Sequence, residues 1–440
     1  MSVLSEQRNM ICDNVSVNAA GHLSFAGFDT VELAQKYATP LYLLDENKIR
    51  EKCRIYQSAM KTSFGENALP LYAGKALCIK DIYRIMREEG MGIDVVSSGE
   101  IFTAVRGGFP MERAYFHGNN KTDADISYAM DNGIGYFVCD NEEELLVIER
   151  EAAARGIIQK ILIRVAPGID PHTHKAISTG SVDSKFGAAI ETGQAMALIS
   201  TAIDQAHVSL EGIHCHIGSQ IFETQPFIDA ADIMVSFAVS VRNELNYTLR
   251  EINLGGGMGV PYLEEHEQID YAANIAEIAC SMKECCRRND FPMPRVRMEP
   301  GRSIVADAGM TLYTVGTLKS IPGFRNYVSI DGGMPDNPRY ALYQSPYTVV
   351  MANRMNDECD TVCTVAGRCC ESGDLIQEGV AIPKPHRGDI LAVLTTGAYN
   401  YAMASNYNRI PRPAMVVLRD GEDKLILRRE TFEDLIRNEL

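Results

Sequence analysis

From Leu71 to Glu299 the chain repeats one beat: a short apolar run, a polar or glycine-rich break, then a longer stretch with helical spacing. The apolar runs fall at 71–73, 92–96, 114–117, 136–139, 161–165, 210–216, 251–254 and 296–299. Between them the spacing predicts helices over 79–90, 99–107, 123–133, 142–156, 192–205, 227–246 and 271–288. Short runs that are apolar on both faces read as buried parallel strands, and parallel strands need crossover helices. Roughly eight such units in about 250 residues predict a closed parallel (β/α)8 TIM-like barrel. A doubly wound open sheet is the alternative. Polar residues stand at nearly every strand end rather than at one switch point, which favours the barrel.

Either side of this series the texture differs. Before it come an alternating stretch at 15–25, a helical pattern at 30–37, an apolar strand at 40–45 and an amphipathic helix at 47–60. After Gly301 come short β-rich runs at 311–319, 326–330, 362–366, 390–395, 414–419 and 425–429, broken by Gly and Pro. The expectation is an α/β barrel over 41–305 and a C-terminal all-β domain over 306–440, completed by part of the N-terminal segment 1–40.

Composition narrows the function classes. A net charge of −16 leaves no basic patch for nucleic acid or an anionic membrane. No apolar run approaches the ~18 residues of a membrane span. Residues 1–14 are polar and mixed in charge, without an export-signal pattern. The 12 cysteines therefore read as reduced thiols in a cytoplasmic protein. Cys359, Cys363, Cys369 and Cys370 lack a C-x-x-C pair and a metal-spaced His, so no metal site is expected there.

In a barrel of this type the C-terminal strand ends carry the chemistry. Here they present Lys75, Asp94, His117, Asp140, Arg164, His214 to Ser219, Gly255-Gly256-Gly257 and Glu299-Pro300-Gly301-Arg302. An ammonium at the mouth of the apolar run 71–73 is costly to keep charged, so the Lys75 pKa should fall, giving an amine fit for Schiff-base chemistry. Its plain alternative is a snorkelling surface lysine. The three glycines allow close backbone approach and an anion nest, or a tight turn. Ser219 and Arg302 add donors to the same anion. Glu299 ends an apolar strand and needs a cation: a protonated ring nitrogen, or an arginine such as Arg302. His216 could lie flat against a ring or be an ordinary core histidine. His214 and His216 share a strand face, but no third metal ligand is evident.

With Lys75, His216-Ile-Gly-Ser219, the glycine triplet and Glu299-Pro-Gly-Arg302 in this order, the chain resembles the fold-type III pyridoxal-phosphate decarboxylases, and within them the diaminopimelate branch. Further matches are Asp331-Gly-Gly-Met334, Arg339-Tyr-Ala-Leu-Tyr343, Cys370-Glu-Ser-Gly-Asp374, and Gly397-Ala-Tyr399 followed by Met403-Ala-Ser-Asn-Tyr407. The resemblance implies pyridoxal 5'-phosphate on Lys75, held also by Asp94, His216, Ser219, Gly256, Gly257, Glu299, Gly301, Arg302 and Tyr399. It implies a head-to-tail homodimer in which Cys370, the proton donor, and Glu371 enter the partner's site. The implied reaction converts meso-2,6-diaminopimelate to L-lysine and carbon dioxide, the last step of lysine biosynthesis. Arg302, Arg339 and Tyr343 would face the substrate's distal carboxylate and Glu371 its ammonium, with Tyr399, which would reach the phosphate, also among the substrate-binding residues. Ornithine or lysine would leave a buried Arg339 without its anion. The rivals are a related decarboxylase of ornithine, lysine, arginine or a carboxylated polyamine, an amino-acid racemase on the same barrel, and a non-catalytic cofactor-binding partner.

Overall fold

The structure, a computed structural model, describes residues 11–169 and 184–440. Most of the N-terminal run read above for an export signal thus lies outside the described residues. The chain divides into two units. One comprises Arg50–Gly259 and Ile269–Ile304, the other residues 11–49, Val260–Gln268 and Val305–Leu440.

The first unit is the expected closed barrel. Its strands are β1 (Leu69–Ala73), β2 (Gly92–Val95), β3 (Ala114–Phe116), β4 (Tyr136–Cys139), β5 (Gln159–Ala166), β6 (Val208–His214), β7 (Glu251–Asn253) and β8 (Arg295–Met298). They follow one another around the sheet in chain order, and all neighbours are parallel. The ring closes where Arg297 and Met298 of β8 pair with Leu69 and Pro70 of β1. Helices alternate with the strands and start where the sequence caps them. Ser97 accepts from Glu100 N, Thr122 and Asp125 form a capping box, and Asn141 accepts from Glu144 N. Helix Lys80–Glu88 turns Ile82, Tyr83, Ile85 and Met86 inward. Burial contributes roughly 1.5–3 kcal/mol per large apolar side chain, so docking rather than propensity fixes so short a helix.

Inside the barrel Tyr115 and Tyr136 stack with centroids 4.2 Å apart, packed among Leu71, Val138 and Leu162. The Tyr115 hydroxyl donates to Glu251 Oε1 at 2.8 Å and accepts from Arg297 Nε at 3.0 Å. Arg297 also pairs with Glu251 at 2.9 Å, so this buried polar layer is internally matched.

The second unit is β-rich. Its sheet runs Leu375–Ile382, Thr361–Ala366, Arg325–Ile330, Gly309–Ile321, Leu41–Asp45, Ala414–Arg419, Glu422–Leu427, with Ile390–Leu394 also pairing Gly309–Ile321 and Val349–Met351 pairing Ile390–Leu394. Alternate residues Leu41 and Leu43, Met310 and Leu312, Ala392 and Leu394, Val416 and Leu418 share one core with Leu23 and Phe25 from the N-terminal segment. The strand Leu41–Asp45, assigned from sequence to the barrel, belongs to this sheet: it lies antiparallel to Gly309–Ile321 and parallel to Ala414–Arg419. The N-terminal contribution therefore extends to Ile49 rather than residue 40. No helix among the described residues is long and apolar enough to cross a membrane.

Candidate active site

The C-terminal strand ends of the barrel unit gather a dense set of ionisable groups. Glu299, one residue past β8, is buried. Its Oε1 accepts from Asn253 Nδ2 at 2.7 Å and lies 2.9 Å from His117 Nε2, and its Oε2 faces His214 Nε2 at 3.1 Å. Burial alone would raise the Glu299 pKa; the two imidazoles overcome it and hold the carboxyl well below its usual range. Burial pushes His214 down to about 4, so it serves Glu299 as a neutral donor. Arg302, weighed from sequence as a partner for Glu299, donates from Nη2 to Ser219 Oγ at 3.0 Å.

A different set from the His214 and His216 pair weighed from sequence, His117, His214 and Glu299, brings its possible ligand atoms within 4.8 Å of one another. The contacts to Glu299, at 2.9 and 3.1 Å, have hydrogen-bond length and fall short of the about 3.3 Å edge of a tetrahedral zinc site.

Asp94, in β2, is buried with Oδ1 unpartnered among the described residues, and burial raises its pKa. His216 is pushed well below its ordinary value by burial and then by the Lys75 charge, which keeps the ring neutral. Lys75 sits in the single 3-10 turn Gly74–Ala76 after β1. Lys75 is exposed at this turn. The groups that feel its charge are Asp94, Glu100 and His216.

The glycine triplet is enforced by its neighbours. A Cβ on Gly256 would stand 1.9 Å from the Glu299 carbonyl oxygen, and one on Gly257, at φ +128°, 2.3 Å from the Gly218 carbonyl. Gly301 is packed against Ala73, 2.9 Å from where its Cβ would lie. This close backbone approach, the Ser219–Arg302 pair, an anionic Glu299 and an exposed amine suit a phosphorylated heteroaromatic aldehyde: nest for the phosphate, carboxylate for the ring nitrogen, amine for the aldehyde. Asp140 and Arg164 stand at neighbouring strand ends, 4.0 Å apart.

In the β unit, Arg339 and Tyr343 share the short helix Arg339–Tyr343. Arg339 is only 5% exposed, and its hydrogen-bond partners are the Ser345 hydroxyl at 3.1 Å and the Tyr347 hydroxyl at 3.3 Å. Its guanidinium lies over the Tyr262 ring, 5.2 Å from the centroid. Tyr399 is half-buried with φ +60°. Cys370 and Glu371 are exposed. Asp374 accepts from Cys369 N at 2.7 Å and Met334 N at 2.6 Å, and Asn408 Oδ1 accepts from Cys370 N at 2.7 Å, which pins the loop that carries them. From sequence His117 carried no assigned role, Asp374 stood only as the end of the Cys370–Asp374 motif, and Asn253 and Asn408 were not candidates; the only signal for His117 and Asn253 was their place at strand ends.

A family model described as the pyridoxal binding domain of pyridoxal-dependent decarboxylases matches residues 46–306. The chain is 44% identical over 423 residues to a diaminopimelate decarboxylase of Bacillus subtilis, covering 96% of each. It is 42% identical over 426 residues to one of Staphylococcus aureus, covering 97% of this chain and 99% of the relative. A crystal structure of diaminopimelate decarboxylase from M. jannaschii in co-complex with L-lysine matches with TM-score 0.91 and 34% identity, covering 98% of both chains. Likeness of this extent, on the same architecture and along nearly the whole length, makes the chain a member of the pyridoxal-dependent decarboxylases, in the diaminopimelate decarboxylase family.

Proposed function

We propose that this protein, acting in the cytoplasm as a homodimer, decarboxylates meso-2,6-diaminopimelate to L-lysine and carbon dioxide with pyridoxal 5'-phosphate as cofactor. The observation that carries the choice of substrate is Arg339. It is buried, and no carboxylate pairs with it among the described residues. A buried cation with neutral partners alone is poorly compensated until an anion arrives. Diaminopimelate keeps a distal carboxylate to meet it; ornithine and lysine have none.

Lys75 is the residue that would hold the cofactor through its amine, with Glu299 toward the ring nitrogen and Gly256, Gly257, Gly301, Ser219, Arg302 and Tyr399 toward the phosphate. His216, held neutral, offers its ring face, and Asp94 completes the polar wall. When bound, pyridoxal phosphate supplies a conjugated cationic ring able to take up the electron pair of the breaking bond. The chain's own work would be orientation: Arg302, Arg339 and Tyr343 are the residues proposed to anchor the substrate's distal carboxylate, and Glu371 its distal ammonium. The Cys370 thiol of the partner subunit would give its proton to the substrate carbon once carbon dioxide has left.

The test is incubation of the holoenzyme with meso-diaminopimelate, ornithine and L-lysine in parallel, with carbon dioxide and product measured. Stoichiometric L-lysine from diaminopimelate alone is expected; faster release from ornithine or lysine would overturn the assignment. Lys75→Ala should lose both the visible cofactor band and turnover, whereas Cys370→Ala should keep the band and lose rate or stereochemical control.

A further inference from the structure

A carboxylate offers about four lone-pair directions. Glu299 is surrounded by three polar groups: Asn253 Nδ2 donates to Oε1, His214 Nε2 faces Oε2 at 3.1 Å, and His117 Nε2 stands 2.9 Å from Oε1. The three groups come from the ends of β7, β3 and β6, so three other strands of the barrel converge on the residue that follows β8. The arrangement is rigid. The rings of His117 and His214 meet edge to face, centroids 4.7 Å apart and planes at 70°. Asn253 Oδ1 accepts from Gly255 N at 2.9 Å, which fixes the amide with its NH2 toward Glu299. All four side chains are buried. A carboxylate needed only to neutralise a cation would not require three buried polar neighbours, each of which costs desolvation.

We propose that His117, His214 and Asn253 are positioning residues for Glu299: they hold its carboxylate as an anion with one direction open on Oε2, and so keep the proton of the facing ring N–H on the ring. This deepens the pyridoxal-phosphate reading and rests on it. A carboxylate that already accepts several hydrogen bonds is a weak base, so the proton it shares stays with its partner; each donor removed makes it a stronger competitor for that proton. A ring that gives up its proton draws electrons less strongly, which slows bond cleavage while leaving the grip on the substrate's distal end intact.

The experiment uses holoenzyme loaded with pyridoxal phosphate carrying 15N in the ring, in wild type, His117→Phe, His214→Phe and the double variant, with His214→Gln as the variant that retains a donor. The wild-type 15N resonance should report a protonated ring. In the double variant it should move toward the unprotonated position, with kcat lowered roughly 10²-fold and KM within about twofold. His214→Gln should sit closer to wild type than His214→Phe, and it carries the comparison if the Phe variants fail to load. An unprotonated ring in wild type, an unmoved resonance in the double variant, or equal effects of Gln and Phe would each overturn the proposal. A protonated wild-type ring that moves as expected in an enzyme inactive on diaminopimelate would refute the proposed substrate and leave this role standing.

Discussion

Arg339→Met separates the substrate assignment from mere structural support. The side chain is 5% exposed and its hydrogen bonds go to two hydroxyls, at 3.1 and 3.3 Å. Losing those two bonds costs about 1 kcal/mol each, and removing a buried charge that lacks an anion returns an amount of the same order. Methionine fills most of the volume without the charge, so stability should stay within about 1 kcal/mol of wild type or rise. Binding should respond differently. Two charge-assisted hydrogen bonds to a carboxylate, at about 1.5–3 kcal/mol each, correspond to a loss of roughly 10²–10⁴-fold in kcat/KM for diaminopimelate. The assays are carbon dioxide release across substrate concentrations and thermal unfolding with and without L-lysine. The L-lysine-induced rise in Tm should disappear together with activity. A variant that keeps kcat/KM within tenfold, or that unfolds many degrees earlier, would show that the cation serves the fold and not the ligand.

Gly256→Ala should weaken cofactor binding at least about tenfold in an absorbance titration, because the new Cβ, 1.9 Å from the Glu299 carbonyl oxygen, must displace that strand end by about 1 Å; unchanged affinity would mean the turn has slack. Lys121 and Glu144 form a buried pair at 2.7 Å. Lys121→Met should cost about 3–5 kcal/mol in urea unfolding, and adding Glu144→Leu should recover most of it. Asn408→Ala should lower kcat more than it raises KM, since the bond it removes holds the Cys370 amide. Burial raises Glu100 from its ordinary 4.5 to about 7. The folded state therefore binds a proton that the unfolded chain has released, and stability should fall as pH rises from 4.5 to 7; in Glu100→Gln this part of the slope should vanish.

The barrel was legible because each strand is short, apolar and followed by a capped amphipathic helix; helix Tyr271–Arg288 and strand Tyr136–Cys139 fall on the residues the spacing marks. The β unit was less so. Leu375–Ile382 was missed because Gln377, Glu378 and Gly379 interrupt its alternation at the sheet's edge. Leu41–Asp45, buried throughout, looks like any barrel strand, and its partners lie hundreds of residues away. The same distance hid part of the site. Glu299, the glycines and Lys75 stand in local motifs, whereas His117 and Asn253 gain their role only when strand ends meet around the ring. The exposure of Lys75 depends on the turn that follows β1, which the apolar run does not reveal.

The position of Leu41–Asp45 has a consequence for biosynthesis. This segment, buried throughout, is synthesised hundreds of residues before its neighbours in the sheet, residues 309–312 and 414–418. At about 5–20 residues per second, it waits roughly 20–75 s for both edges to be covered. Throughout that interval an apolar strand with both edges unpaired stays open to wrong partners, which makes the nascent chain a natural client for holdase chaperones and gives slow translation near residues 414–418 a direct cost in yield.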